Sequence, residues 1–424
     1  MTERNFASIE SAIEKIAAGG MVIVVDDEAR ENEGDFICAA EKITPEMVNF
    51  MLRSGRGVLC VPMPRDRADT LQLEPASHEN SALHHTNFTV SVDLGNLKSG
   101  VSAAERCATI QALAAEDTTP ADLARPGHIY PLVAHEGGVL HRAGHTEAAV
   151  DLVRLAGLSP VGALIEILDE DGQMARGERL FEIAEQNEIP IVTIEDLIRH
   201  RRRNEALVER VVETVLPTEA FGDLAVYGYR VCFDSNEPIA IVKGDLQSVE
   251  APLVRVHSSC FTGEVLESLR CDCGGQLRGA LQRIAGEGVG AVVYLPQEGR
   301  GIGLLEKLRA YALQDEGLDT VEANLALGYR ADMRDYGVGI QIIKDLGLRK
   351  VRLLTNNPKK QDAFIYYGYN LEVVGQEPIL SPANEHSEAY MQAKRDKMGH
   401  LLPDSATIAP RAAEPATGGE PQAE

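Results

Sequence analysis

Apolar positions first recur with a helical period, at Phe6, Ile9, Ile13 and Ile16. After Gly19-Gly20 the pattern becomes an unbroken β-branched run, Met-Val-Ile-Val-Val at 21–25, which predicts a buried strand. Similar runs at 58–61, 88–92, 161–168 and 191–194, separated by helical stretches, predict a mixed α+β first half. Thr44-Pro45 and Ser102-Ala-Ala-Glu105 carry the chemistry of helix starts. A charged stretch at 199–213, containing Arg199-His-Arg-Arg-Arg203, is expected to be a solvated linker, with the domain boundary near residue 205. From Val289 onward strands and helices alternate: a strand at 291–295, a helix through Leu304, Leu308 and Tyr311, another through Ile340, Ile343 and Leu346, and a strand at 351–354. That order predicts an α/β second domain. The closing stretch, rich in Ala, Pro, Gly and Glu, predicts a disordered tail. The expected division is 1–204, 205–402 and a tail at 403–424.

Composition narrows the function classes. A chain of 424 residues exceeds the size at which one core keeps growing, which fits two domains of about 200 residues. No apolar run approaches the roughly 20 residues that span a bilayer, and the N-terminal segment has acids instead of a signal-like apolar core. A cytoplasmic protein with no membrane partner is expected. The net charge of -24 argues against nucleic acid as a partner, because phosphate backbones need clustered cations. Seven cysteines, three of them between Cys260 and Cys273, fit reduced thiols plus a metal site better than a disulfide framework.

Candidate chemistry begins directly after the first strand. Asp26-Asp27-Glu28-Ala29-Arg30-Glu31-Asn32-Glu33-Gly34-Asp35 holds six carboxylates in ten residues. Such a run is either a solvated acidic turn or a seat for a hard cation such as Mg²⁺. Arg142-Ala143-Gly144-His145-Thr146 precedes a helix, so it reads either as a cap or as a phosphate seat at a helix N-terminus. Glu166 interrupts an apolar strand, where a carboxylate is costly unless it is paired, working or on an edge.

These motifs, together with Arg125-Pro-Gly-His128 and Val192-Thr-Ile-Glu-Asp-Leu197, resemble 3,4-dihydroxy-2-butanone 4-phosphate synthase over residues 8 to about 200. The resemblance implies conversion of D-ribulose 5-phosphate to 3,4-dihydroxy-2-butanone 4-phosphate and formate. It also implies Glu31 and His145 as ligands of Mg²⁺ (or Mn²⁺), and Arg30, Glu31, Asp35, Glu166 and Arg142, Ala143, Gly144, His145 and Thr146 as substrate contacts. His128 and Glu166 carry the chemistry in that reading, and a homodimer with this site near the subunit interface is expected. Glu105 stands where the family usually has Asp, and 81–87 departs from the common loop.

In the second half, Arg255-Val256-His257-Ser258-Ser259-Cys260 and Cys271-Asp-Cys273 supply three thiols. Three ligands with an open position suit catalytic zinc, His257 as a fourth would make the site structural, and buried cysteines without a metal are the third reading. Gln297-Glu298-Gly299-Arg300-Gly-Ile-Gly, Asp332-Met-Arg334-Asp and Leu354-Thr355-Asn-Asn-Pro-Lys-Lys360 read either as phosphate-cradling loops or as helix caps. Together with the cysteines they resemble GTP cyclohydrolase II from 215 to about 402, including 384–386 and 397–402. The resemblance implies hydrolysis of GTP to a diaminopyrimidinone ribosyl phosphate, formate and pyrophosphate. Zn²⁺ on Cys260, Cys271 and Cys273 is implied, with Mg²⁺ for the phosphate step. GTP contacts are implied at Arg255 to Ser259, Gln276, Glu298, Gly299, Arg300, Thr320, Thr355 and Lys360. Asp332 is implied as proton acceptor, Arg334 as nucleophile and Tyr311 as a transition-state hydrogen-bond donor. A guanidinium stays protonated, which suits Arg334 better to clamping a phosphate. Ser259 replaces a glutamate common in the family.

Overall fold

The computed structural model describes residues 6–27, 30–81, 86–329, 332–334, 336–357 and 371–379. Lys360, 384–386, 397–402 and the tail at 403–424 lie outside these, as do Glu28 and part of the 81–87 loop. The chain divides into two compact units, Met1–Glu205 and Ala206–Glu424.

The first unit runs α1 (Ile9–Ala17), β1 (Met21–Val25), β2 (Gly34–Ala39), α2 (Pro45–Ser54), β3 (Cys60–Met63), α3 (Arg65–Thr70), β4 (Val92–Leu94), α4 (Ala103–Ala114), β5 (Leu123–Val133), α5 (His145–Leu155), β6 (Gly162–Glu166), α6 (Glu178–Gln186), β7 (Ile191–Thr193) and α7 (Ile194–Asn204). Its seven strands lie in the order β4-β5-β3-β6-β2-β1-β7. Pairing is antiparallel except for β1 with β7 and β3 with β5, so the sheet is mixed, and with its helices the first unit is the α+β domain expected. Alternation along the strands divides the core. Ile23, Phe36, Val61, Ala163 and Ile165 pack on one side with α2, α4 and α6, while Val24, Ile37, Cys60, Leu132 and Leu164 pack on the other with α1, α5 and α7. Thr44 caps α2 through its hydroxyl, and Ser102 and Glu105 form the expected reciprocal box on α4.

The second unit continues β8 (Val208–Thr218), β9 (Gly222–Val231), β10 (Ile239–Lys243), β11 (Leu253–Ser258), α8 (Phe261–Glu264), α9 (Cys273–Glu287), β12 (Gly290–Leu295), α10 (Leu304–Asp315), α11 (Thr320–Ala326), α12 (Gly337–Asp345), β13 (Lys350–Leu354) and β14 (Glu372–Glu377). The sheet order is β14-β13-β11-β12-β10-β9-β8. Four strands on one side are parallel, and the antiparallel meander β10-β9-β8 extends the other. Parallel strands place their loops together at the carboxyl ends, the usual ligand crevice of such sheets.

Two readings of the pattern are corrected. The stretch at 199–213 is no solvated linker: α7 runs to Asn204, β8 starts at Val208, and Arg201 and Arg202 are buried. Arg201 bonds buried Asp151 at 2.8 Å, the Gly137 carbonyl at 2.6 Å and Glu205 at 2.7 Å, partners that neutralise it inside the fold. Glu166 is no edge-strand charge, because β6 lies between β3 and β2. Two strands also shift: pairing begins at Cys60 rather than Val58, and Phe88 makes only an isolated bridge to Leu132 before β4 begins at Val92.

Candidate active sites

In the first unit, strand register gathers the chemistry. Asp35 pairs with both Val24 and Glu166, which places the two acids side by side on the α5 face of the sheet. Glu166 Oε2 accepts a hydrogen bond from Val58 N at 2.7 Å. Val58 lies two residues before the Cys60–Tyr130 pair of parallel β3 and β5, and two residues before Tyr130 is His128. His128 Nδ1 donates to Asp93 Oδ2 at 2.7 Å, and its backbone N–H to Asp93 Oδ1 at 3.0 Å. Asp93 therefore fixes ring orientation and leaves Nε2 as the proton-accepting nitrogen.

The acidic turn folds over this row. Asp26 is buried and accepts from Arg30 Nη1 at 2.9 Å and from the backbone N–H groups of Glu31 and Glu33. Asp26, Glu31 and His145 bring ligand atoms within 4.8 Å of one another, and so do Glu33, Asp35 and His145. Burial, then the neighbouring acids, hold Asp35 well above the usual carboxylate range and push Glu33 up to about 7. Asp35 Oδ1 is buried with no hydrogen-bond partner. Burial lowers His145 to about 4, and its Nε2 donates to the Val24 carbonyl at 3.1 Å, which leaves a lone pair on Nδ1. This donor set suits a cation, which would satisfy the orphan oxygen and relieve the crowding.

His145 opens α5, with Gly144 as its N-cap. A side chain at 144 would press on the Arg142 guanidinium and the Glu147 carboxylate and displace that ion pair. Arg142 is oriented by Glu147 at 2.6 Å and by Thr86 Oγ1 at 3.0 Å beside the helix N-terminus. Ala143 joins the two, and Thr146 is buried in the first turn. Asp93 and Glu147 orient predicted site residues but were not among the sequence candidates.

In the second unit, Cys260 follows β11, the loop of Glu298, Gly299 and Arg300 follows β12, and Thr355 follows β13, all at the carboxyl ends of neighbouring parallel strands. A cleft opens there, lined by Ser258, Ser259, the three cysteines, Glu298 to Arg300, Tyr311, Thr320 and Arg334. The Cys260, Cys271 and Cys273 sulfurs lie within 4.8 Å of one another, and among the described residues no fourth ligand joins them. His257 is not that ligand: its Nε2 bonds Glu264 at 2.9 Å and its Nδ1 accepts from Arg255 at 3.1 Å. Hydrogen bonds from Cys271 and Cys273, with Lys307 nearby, hold the Cys260 thiol well below the usual range. All three cysteines are free of disulfides.

Other predicted GTP residues sit behind the cleft wall. Arg255 is buried, bonds the Leu354 carbonyl at 3.1 Å and Gln276 Oε1 at 2.6 Å, and is lowered to about 10 by burial. Val256 packs in the core, and Thr355 Oγ1 accepts from Asn357 N. Arg334 closes a two-pronged pair on Asp332 at 2.8 and 2.5 Å. Burial opposes charge on Asp332, yet Arg334 more than offsets it and lowers the carboxyl. Tyr311 OH lies 3.3 Å from Thr262 Oγ1. Lys307, Gln314 and Asn324 also line the cleft and were not sequence candidates. Lys307 and Tyr311 stand four apart on one helix, a spacing that places both on one face.

Comparison with known proteins follows the same division. The family model of 3,4-dihydroxy-2-butanone 4-phosphate synthase matches residues 10–200, and that of GTP cyclohydrolase II matches 209–378. Riboflavin biosynthesis protein RibBA of Bacillus cereus (strain B4264) is 56% identical over 397 residues, covering 94% of this chain and 99% of that protein. The crystal structure of RibBX, a two domain 3,4-dihydroxy-2-butanone 4-phosphate synthase from A. baumannii, covers 88% of this chain and 100% of that one at 34% identity, with a TM-score of 0.68. A 3,4-dihydroxy-2-butanone 4-phosphate synthase solved with two magnesium ions covers 46% of this chain and 96% of that one at 39% identity, with a TM-score of 0.45. With both family models met in order along one chain, and a near full-length relative more than half identical, the chain belongs to the bifunctional RibBA family of riboflavin biosynthesis, a 3,4-dihydroxy-2-butanone 4-phosphate synthase joined to a GTP cyclohydrolase II.

Proposed function

We propose that residues 1–204 convert D-ribulose 5-phosphate to 3,4-dihydroxy-2-butanone 4-phosphate and formate, and that 205–402 open GTP to a diaminopyrimidinone ribosyl phosphate, formate and pyrophosphate. Glu31 and His145 hold Mg²⁺ or Mn²⁺ in this reading, and the orphan Asp35 oxygen supports a cation there. The cation supplies polarisation of the substrate carbonyl and offsets developing negative charge. Arg142 and the N-terminus of α5 orient the phosphate end of the sugar, with Arg30 and Asp35 along its length. Glu166 and His128 move protons, and Nε2 of His128 takes or returns one while Asp93 holds Nδ1.

The second site takes Zn²⁺ on Cys260, Cys271 and Cys273, and the observation that carries the catalytic reading is that among the described residues no fourth ligand joins these three sulfurs. Zinc supplies Lewis-acid activation of water for attack at C8 of guanine. Asp332, held ionised by Arg334, accepts a proton, while Arg334, Arg300 and Lys360 clamp phosphate oxygens, with Mg²⁺ assisting that step. Tyr311 donates a hydrogen bond toward the reacting base, and Thr320 lines the same cleft. The protein is proposed to act as a cytoplasmic homodimer; among the described residues no helix is long and apolar enough to cross a membrane.

Metal analysis tests this reading. The purified protein carries about one Zn²⁺ per chain. Cys271→Ser loses it and stops formate release from GTP, while some pyrophosphate release persists through the arginine and lysine set. A folded, zinc-free variant that opens guanine at the parental rate overturns the reading, as does a fourth protein ligand on the metal.

A further inference from the structure

Lys307 lies one helical turn before Tyr311 on α10, and its side chain is only 11% exposed. Its Nζ donates to Cys260 Sγ at 3.0 Å, Thr262 Oγ1 at 2.8 Å and Glu298 Oε1 at 2.7 Å. An ammonium has three protons, and each finds an acceptor on a different part of the cleft. Cys260 belongs to the sulfur cluster, Thr262 to α8 and Glu298 to the loop after β12. Glu298 also accepts from Phe261 N at 2.6 Å, so the lysine and glutamate together tie that loop to the segment after Cys260. Gly299 has φ 61, and a Cβ there would stand 3.0 Å from Lys307 Cβ, which holds loop and helix at close packing.

Three thiolates around a divalent cation leave one net negative charge, which is costly in a partly buried cleft unless a cation balances it. Resting on the zinc reading above, we propose that Lys307 is a positioning residue for GTP opening. Its N–H bond draws density from the Cys260 sulfur and balances the cluster, and its bond to Thr262 directs the threonine proton at the Tyr311 oxygen. The phenol proton of Tyr311 is thereby left for the cleft.

The test uses the full-length protein loaded with Co²⁺ in place of zinc, whose sulfur-to-cobalt charge-transfer band reports the thiolates directly. In Lys307→Met the band moves to lower energy, cobalt stays bound, and kcat for GTP falls about 10- to 100-fold with KM little changed. Lys307→Arg keeps a charged donor and returns the band toward its parental position. Thr262→Val keeps the ammonium–thiolate bond at 3.0 Å, loses only the longer 3.7 Å hydroxyl contact to Cys260 Sγ and breaks the link to Tyr311, so its band moves much less than that of Lys307→Met while kcat falls, a result available even if the lysine variant does not fold. A Lys307→Met protein with an unmoved band and parental kcat overturns the proposal, and so does parental kcat in Thr262→Val. A parent protein that shows no sulfur-to-cobalt band refutes the zinc reading instead, so the two failures are distinguishable.

Discussion

His128 illustrates how one residue gains a role from another far along the chain. Asp93 sits 35 residues away and meets the ring at 2.7 Å. Asp93→Asn leaves the backbone able to fold but no longer favours the proton on Nδ1. Steady-state assays should show kcat for ribulose 5-phosphate down by about 100-fold, with KM nearly unchanged, if His128 moves a proton. Parental kcat would remove Asp93 from the account. The sequence offered one clue to Asp93, an acid between Val92 and Leu94 in an apolar setting, the same signal that singled out Glu166. Lys307 offered only its four-residue spacing from Tyr311, a spacing common on any helix. Motif residues such as Cys271 and Cys273 were legible because the chemistry lies in the local spacing. Their orienting partners were not, because tertiary pairing brings those partners in.

Elements were legible where their signals are local. Thr44-Pro45 and Ser102 with Glu105 start helices through caps within four residues, and β1 is an uninterrupted β-branched run. The ends of β3 and β4 depend on pairing with β5 and were displaced by two to four residues from the apolar runs. The arginine run at the end of α7 was misread for the same reason, since its partner Asp151 lies on α5, 50 residues away. Arg201→Ala should therefore cost about 3 kcal/mol, because it leaves buried Asp151 with only the half-exposed Arg154 at 3.7 Å as a compensating charge. Chemical denaturation of the variant measures that loss, and adding Asp151→Asn should recover part of it. A stability change within the ordinary surface range of about 0.5 kcal/mol would return Arg201 to the solvated role.

At the scale of the whole molecule, each unit assembles its site from its own sheet. One sets Asp35, Glu166 and His128 along paired strands with His145 at the start of α5; the other gathers loops at the carboxyl ends of parallel strands. The two proposed sites share no residue, so one chain runs two chemistries that a single substitution can separate. Supplying ribulose 5-phosphate and GTP separately to the parent and to His145→Ala, with formate and the organic products measured, tests this most directly. The parent should release formate from either substrate. His145→Ala should lose turnover of the sugar phosphate, having lost a cation ligand, and keep GTP opening nearly intact. Equal loss of both activities in a folded His145→Ala protein would contradict it.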